Sequence, residues 1–376
     1  MSGEPSLDTY ALKSGARAVV EAPELPYRPP MPRQYRPRIA MVGTGGITQA
    51  HCDAYRSAGF DLAVFHDPVR ERAEARRDAY FPEAEVVDSF EAILGRTDVE
   101  VLDIATHAAV RADLVQAALE AGKHVLSQKP FVLDLDHGDW ICGLARRRGV
   151  KLAVNQNGRW APHLAWMRSA VRAGCIGDPI GVHAGIHWDH TWVAGTPFEA
   201  YRDLILADFG IHWFDFVASV LGDRRVEWVF ARRVRAYGQT IAPDLAATVA
   251  MGYDGGQATL TFDAAMRGGS LDHTTIAGTN GLLCSSGPDL GDQQVELTNG
   301  AGTCHPSLEG QWFNDGFAGT MGELLLAVEE GREPENGATA NLRSLALCFA
   351  AVASADSGVA VRPGDIRRLP DGALPA

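Results

Sequence analysis

Asp208 and His212 stand four residues apart in DFGIHWFD, 208–215, and Lys129 precedes a proline in LSQKPF, 126–131. A carboxylate, an imidazole and an amine are the groups from which proton transfer near neutral pH is built. Read as one helix over 208–221, the stretch puts Asp208 and His212 on one face, about a turn apart. Asp208 is then expected to orient the His212 imidazole and stabilise its charged form. The D-x-x-x-H spacing alone favours a helix cap beside a satisfied, half-buried histidine. What favours chemistry stands upstream.

There the apolar run RIAMVG, 38–43, leads into GTGGIT, 43–48. Gly43, Gly45 and Thr48 occupy the positions of G-x-G-x-x-G, with Gly46 and Ile47 between them, directly after a strand and at the start of a helix. Gly43 allows the tight turn, and Gly45 lets the backbone approach a pyrophosphate resting on the helix N-terminus. Thr48 in place of the third glycine implies slightly looser strand–helix packing. The next strand, DLAVFHD, 61–67, ends on Asp67, whose carboxylate can accept both ribose hydroxyls and repel a 2′-phosphate. The cofactor expected is NAD.

The elements that must position these residues alternate regularly. Strands are expected at 38–43, 61–67, 86–87, 100–106, 124–127 and 151–155, with helical patterns between them, as in a doubly wound parallel sheet. After about residue 156 helices at 160–173 and 208–221 are followed by strands in succession. These fall at 225–236, 245–252, 257–265, 272–278, 281–285 and 293–297, and helices at 315–331 and 338–355 close the chain. Strands without intervening helices pair antiparallel, so the second domain is expected to be α+β, one large open sheet with helices on a single face. The division expected is 1–36, a Pro-rich arm; 37–156, the NAD-binding domain; and 157–376, a substrate-binding and oligomerisation domain. The arm reads either as a disordered leader or as a segment laid across a domain and anchored by Tyr27 and Tyr35.

The chain has 376 residues and a net charge of −13, which argues against nucleic acid and anionic membrane as partners. Its six cysteines show no C-x-x-C spacing, so free thiols of a reducing compartment are expected, with the cytoplasm as the default. No run reads as long and apolar enough to span a bilayer.

In HAGIHWDHTW, 183–192, polar edges and aromatic faces come together, as suits a polyhydroxylated ring. His187, Trp188 and His190 are therefore taken as substrate contacts. Read as a strand, His183 and His187 share one face, with Trp188 and His190 on the other. A zinc site from these histidines is not expected, since the set lacks a fixed ligand geometry.

The run ALEAGKHVLSQKPFVLD, 118–134, together with GTGGIT and the Asp208…His212 pair, resembles the glucose–fructose oxidoreductase / inositol dehydrogenase / MocA family over about residues 38–355. The resemblance implies a Rossmann domain, a sheet domain that often forms the oligomer interface, a nicotinamide cofactor, and sugar or cyclitol substrates. It makes Lys129 the catalytic lysine of an E-K-P motif and Asp208 and His212 the family's aspartate and histidine. Thr106, with its neighbours Ala105 and His107, falls along the cofactor. Asn157 and Arg159 fall where the family lines nicotinamide and substrate. Two departures stand out. Gln128 replaces the motif's glutamate, which is expected to leave Lys129 without a carboxylate neighbour and easier to deprotonate, or else to bond the nicotinamide ribose. His107-Ala108…Arg111 replaces a proline–asparagine turn, which puts the cofactor-edge contacts in question.

The reaction expected is oxidation of a secondary hydroxyl of a sugar, glycoside or cyclitol. His212, oriented by Asp208, serves as base and Lys129 stabilises the alkoxide; a neutral lysine as the base, with His212 binding substrate, is the other arrangement. Two further classes stay open: an enzyme recycling tightly held NAD within one cycle, and a non-enzymatic dinucleotide-binding regulator. A homo-oligomer, dimer or tetramer, is expected through the second sheet. Asp67 sets a test of cofactor choice. Isothermal titration should show tighter binding of NAD than NADP, and Asp67→Ser should narrow the gap; tighter NADP binding by the wild type would refute the assignment.

Overall fold

The computed structural model describes residues 17–374. Its first unit runs β1 (Arg38–Val42), α1 (Thr48–Ala58), β2 (Asp61–His66), α2 (Arg70–Tyr80), β3 (Glu85–Val86), α3 (Phe90–Leu94), β4 (Val99–Ile104), α4 (Ala108–Glu120), β5 (His124–Ser127), α5 (Leu135–Arg148) and β6 (Leu152–Val154). All six strands are parallel, in the order β3-β2-β1-β4-β5-β6. Strands such as MV of β1 and VL of β4 are buried on both faces, which is why they read as unbroken apolar runs. The strand order reverses between β1 and β4, and the crevice at the carboxyl ends there is where such sheets bind ligands. Into it lead the segments after β1, β2, β4 and β5, which carry Gly43–Thr48, Asp67, Ala105–His107 and Gln128–Lys129.

The second unit comprises α6 (Pro162–Arg172), β7 (Pro179–His187), α7 (Ile211–Leu221), β8 (Val226–Val234), β9 (Ala246–Tyr253), β10 (Gly256–Asp263), β11 (Leu271–Gly278), β12 (Gly281–Gly287), β13 (Gln294–Asn299), β14 (Gly302–Cys304), α8 (Trp312–Glu330) and α9 (Ala338–Ser357). Eight strands form one sheet, β14-β13-β12-β11-β7-β10-β9-β8. The pairs are antiparallel except β7–β10, which is parallel.

The strand β7 is missing from the succession of sheet strands expected, although its His183–His187 end reads as a strand with both histidines on one face, as found. It lies in the middle of this sheet. Gly181 and Gly185 on its outer face hid it, since glycine is depleted in strands. A Cβ at Gly185 would meet the His273 ring at 2.2 Å, and one at Gly181 the His183 ring at 2.7 Å. The histidines take the room that side chains would have filled. The inner face of β7, Val182, Ala184 and Ile186, is buried in the core.

Two features depart from the sequence reading, and a third decides between its alternatives. First, α8 completes the first unit. Phe317, Ala318, Met321, Leu324 and Leu325 pack with Ile39, Met41, Leu62, Phe65, Val101, Leu126 and Ala153, residues of β1, β2, β4, β5 and β6. A boundary at 156 therefore cuts through a shared core. Second, α9 is long and apolar enough by length and composition to cross a membrane, contrary to the sequence reading. It is two-thirds buried inside the protein, packed on α5, α7 and β8, which explains its composition as that of a core helix. Third, residues 17–36 lie along both units, which agrees with the reading of an arm laid across a domain and anchored by Tyr27 and Tyr35; the rest of the 1–36 arm lies outside the described residues. Val20 and Thr303 pair beside β14, Tyr27 Oη accepts the Glu309 amide, Glu329 accepts the amides of Arg33, Gln34 and Tyr35, and Tyr35 Oη donates to Glu100.

Candidate active site

The glycine-rich turn has the shape a dinucleotide requires. Gly43 sits at φ +88, and a Cβ there would meet Ala105 O at 2.9 Å, so the turn can close only with glycine. Around Gly45 and Gly46 nothing lies within 4 Å of where a Cβ would be, which leaves the approach to the α1 N-terminus open. Thr48 is fully buried and its hydroxyl donates to Gly45 O at 2.6 Å, so it closes the turn from inside. Asp67 follows β2; its Oδ2 accepts from Thr44 N and Thr44 Oγ1, and its Oδ1 from Val69 N. The carboxylate is thereby held at the edge of the glycine turn. After β4, Ala105 is buried and His107 is exposed at the start of α4, while Thr106 Oγ1 is buried without a partner.

Across the crevice, Lys129 Nζ donates to Asp208 Oδ1 at 3.1 Å and to the Asp208 carbonyl at 2.9 Å. Each side chain is about one-fifth exposed. Asp208 thus serves Lys129 and not His212, and the expected Asp208–His212 pair is corrected. The reason is local. Residues Leu204–Phe209 form a π-helical turn, and α7 begins only at Ile211. The Gly210 amide bonds back to Ile205 O at 2.7 Å, and a Cβ at Gly210 would meet that oxygen at 2.6 Å. The wider turn breaks the four-residue repeat on which the sequence reading rested. His212 Nδ1 is buried without a partner, and its ring meets Trp213 and Trp312 edge-on. Burial, with the Lys129 ammonium adding to it, pushes the imidazole down to about 3. His212 is therefore neutral at working pH, not the near-neutral titrating group expected.

Gln128 also behaves differently from expectation. Its Oε1 accepts the backbone N–H of Lys129 at 2.7 Å and its Nε2 faces His51 at 3.2 Å, so the amide points away from the ammonium. The carboxylate neighbour that Lys129 was expected to lack is supplied by Asp208. Arg111, flagged only as a departure, is a buried organiser of the crevice edge. It donates to the carbonyls of Thr106, Gln128 and Pro130, tying the segment after β4 to that after β5. Burial pulls its guanidinium down to about 10, with Asp208 and Tyr201 opposing.

The expected substrate contacts divide. Trp188 and His190 lie beside the pair: their rings stack at 5.9 Å, both meet Phe209, and Trp188 also meets Trp213. Trp188 Nε1 and His190 Nδ1 are buried without partners, and burial pushes His190 down to about 4. His187 is corrected: it lies on the outer face of the sheet, bonded to Asp263 at 2.8 Å and stacked on His273 at 5.5 Å. Arg159 is corrected too. Both its Nε and Nη2 donate to Asp215, at 2.6 and 2.8 Å, inside the core. Burial alone would raise the Asp215 carboxyl; Arg159 and Ser344 hold it below its ordinary value. Asn157 Oδ1 accepts the Trp312 indole N–H at 3.2 Å, so part of its bonding capacity goes to structure. The residues missed include His51 and Asp103. The signal was present: a carboxylate inside the apolar strand VEVLDI demands a buried partner.

Residues 37–156 match the family description "Oxidoreductase family, NAD-binding Rossmann fold", and 164–284 match the "GFO/IDH/MocA C-terminal domain". The chain belongs to the Gfo/Idh/MocA oxidoreductase family. Among relatives of this Gfo/Idh/MocA chain, D-apiose dehydrogenase of Paraburkholderia graminis is 27% identical over 337 residues, covering 85% of this chain and 88% of the relative. Inositol 2-dehydrogenase of Rhizobium meliloti is 26% identical over 330 residues, covering 84% and 96%. Among solved structures, an Agrobacterium radiobacter oxidoreductase in complex with NAD+, L-tartaric acid and magnesium superposes with TM-score 0.78 at 21% identity, over 88% of this chain and 99% of that one. The residues here fit NAD: an open glycine turn at the N-terminus of α1, Asp67 beside it, and the free Thr106 hydroxyl after β4.

The place of Arg159 gives a testable outcome. Removing one partner of a buried ion pair leaves an uncompensated charge, so Arg159→Met should cost about 3–5 kcal/mol in denaturant unfolding. Unchanged stability with a raised KM would return Arg159 to the substrate site.

Proposed function

We propose that this oxidoreductase removes hydrogen from a secondary hydroxyl of a sugar or cyclitol, with the Lys129–Asp208 pair as its proton relay. The observation that carries this reading is the two-point contact of Lys129 Nζ with Asp208 in a crevice that the glycine turn also borders. Bound NAD supplies the hydride acceptor. The remaining requirements are a destination for the hydroxyl proton and a cation beside the developing alkoxide. Lys129 Nζ meets both: it takes the substrate proton while passing one of its own to Asp208 Oδ1. The ammonium charge thus stays beside the oxygen throughout, and Asp208 ends protonated. His212, neutral and with an unpaired ring nitrogen, is a hydrogen-bond partner for a substrate hydroxyl. Trp188 and His190 offer ring faces and free polar edges to the rest of a polyol. The names of the D-apiose and inositol relatives support that substrate class.

The outer face of the second sheet supports self-association. Trp228, Phe230 and Val234 on the edge strand β8, with Leu271 on β11 and Leu282 on β12, are exposed on it. We infer a homo-oligomer through this face. The six free cysteines suit a reducing compartment such as the cytoplasm.

Steady-state kinetics separate the roles. Lys129→Met and Asp208→Asn should each lower kcat by about 10²–10⁴-fold, the scale of lost acid–base work. His212→Asn should act mainly by raising KM; a loss in kcat equal to that of Lys129→Met would make His212 the base. Light scattering should give a mass above one chain, and Phe230→Asp should lower it; a wild-type monomer refutes the interface.

A further inference from the structure

Beneath the site runs a buried polar chain that the proposed reaction does not use. His51, on the inner face of α1, and Asp103, within β4, are both wholly shielded from solvent. Asp103 Oδ2 accepts the Tyr55 hydroxyl at 2.7 Å and lies 2.7 Å from His51 Nδ1. A carboxylate oxygen in that position requires a donor, so Nδ1 carries the proton. The other ring nitrogen, Nε2, faces Gln128 Nε2 at 3.2 Å and Asn155 Nδ2 at 3.1 Å.

The orientation of the Gln128 amide follows from its far end. Gln128 Oε1 meets the Lys129 backbone N–H, a group that can only donate, at 2.7 Å. The NH2 end therefore faces His51, and Nε2 must accept. A single assignment fits every contact along the chain, with only Asp103 Oδ1 left buried without a partner: Asp103 carboxylate, neutral His51 protonated at Nδ1, Gln128 with nitrogen inward and oxygen outward, Lys129 amide. The groups facing His51 are Tyr55 from its own helix, Asp103 from β4, Gln128 after β5 and Asn155 after β6. From α8 come the Phe317 ring, at 4.4 Å, and Thr320, reached through Asn155. Asp103 is the one charged side chain among them.

We propose that His51 and Asp103 are positioning residues for Lys129: the Nδ1–H tautomer of His51, fixed by Asp103, holds Gln128 Oε1 on the Lys129 main-chain N–H. The inference deepens the role proposed above for Lys129 and rests on it. The same chain explains why an amide suits position 128. A carboxylate has no donor to give Nε2, so Gln128→Glu would bring two lone-pair bearers together in a dry interior, unless His51 takes a second proton. The variant must therefore bind a proton that the wild type does not need. That proton is present at low pH and lost as pH rises, so the variant's activity should fall on the alkaline side.

The test uses full-length ¹⁵N-labelled protein with NAD bound. Long-range imidazole spectra, with His51 assigned by its absence in His51→Phe, should show the neutral Nδ1–H tautomer across the neutral pH range. In Gln128→Glu the ring should be doubly protonated at low pH, and kcat/KM should gain an alkaline limb absent from the wild type. His51→Phe should lower kcat by about 10²-fold, the scale of a misplaced catalytic group, with the Kd for NAD little changed. An Nε2–H tautomer or an imidazolium in the wild type overturns the proposal, with no variant needed. So does a Gln128→Glu profile that matches the wild type. The tautomer is read without turnover. A Lys129→Met enzyme that kept its kcat would remove the role of Lys129 and leave the hydrogen-bond chain standing, so the two failures are distinct.

Discussion

The site depends on one ion pair that joins two parts of the chain. Lys129 comes from the end of β5 in the first sheet, and Asp208 from the turn before α7 in the second unit. Neither would be placed by its own element alone. Lys129 needs the crevice edge held by Arg111 and Gln128; Asp208 needs the π-helical turn that ends at Gly210. An ammonium bonded to both a carboxylate and a main-chain carbonyl has little freedom left. The geometry of the pair is thus the geometry of the cleft. The charges compensate each other where partial burial would otherwise penalise either one.

The first sheet was legible almost throughout, because a parallel sheet covered on both faces writes itself as apolar runs separated by helices. The glycine turn and Asp67 were legible for a related reason: backbone conformation at Gly43 and strand position at Asp67 leave few alternatives. The second sheet was legible in its successive hairpins; β7, whose alternate outer positions are glycine and histidine, reads as a strand only around His183–His187 and not as a member of the sheet. Its neighbour relation with β10, parallel across the middle of the sheet, follows from no local pattern.

At the site, sequence reasoning joined Asp208 to His212, where the structure joins it to Lys129. Spacing of four residues implies a shared face only while the helix keeps its repeat, and nothing in LILADFG announces a π turn. Arg159 and His187 were misplaced because polar residue type says nothing about which face a strand or short helical turn presents. Arg159 is spent on Asp215 and His187 on Asp263, both remote in sequence. Asp103 and His51 could have been found, since a lone carboxylate in a buried strand must have a donor somewhere. Which donor it has depends on tertiary contact.

The contribution of α8 to the first core has a consequence for synthesis. The dinucleotide-binding sheet is complete as a set of strands by residue 154, yet part of the cover of one of its faces, shared with Cys52, Ala54 and Tyr55 of α1, arrives with residues 317–325. On the ribosome the nascent sheet therefore carries bare apolar surface while more than 150 further residues are made. Discrete domains usually let the N-terminal one fold first during translation. Here the earliest-made layer must wait for one of the last, and the chain reaches its native core late, as a whole.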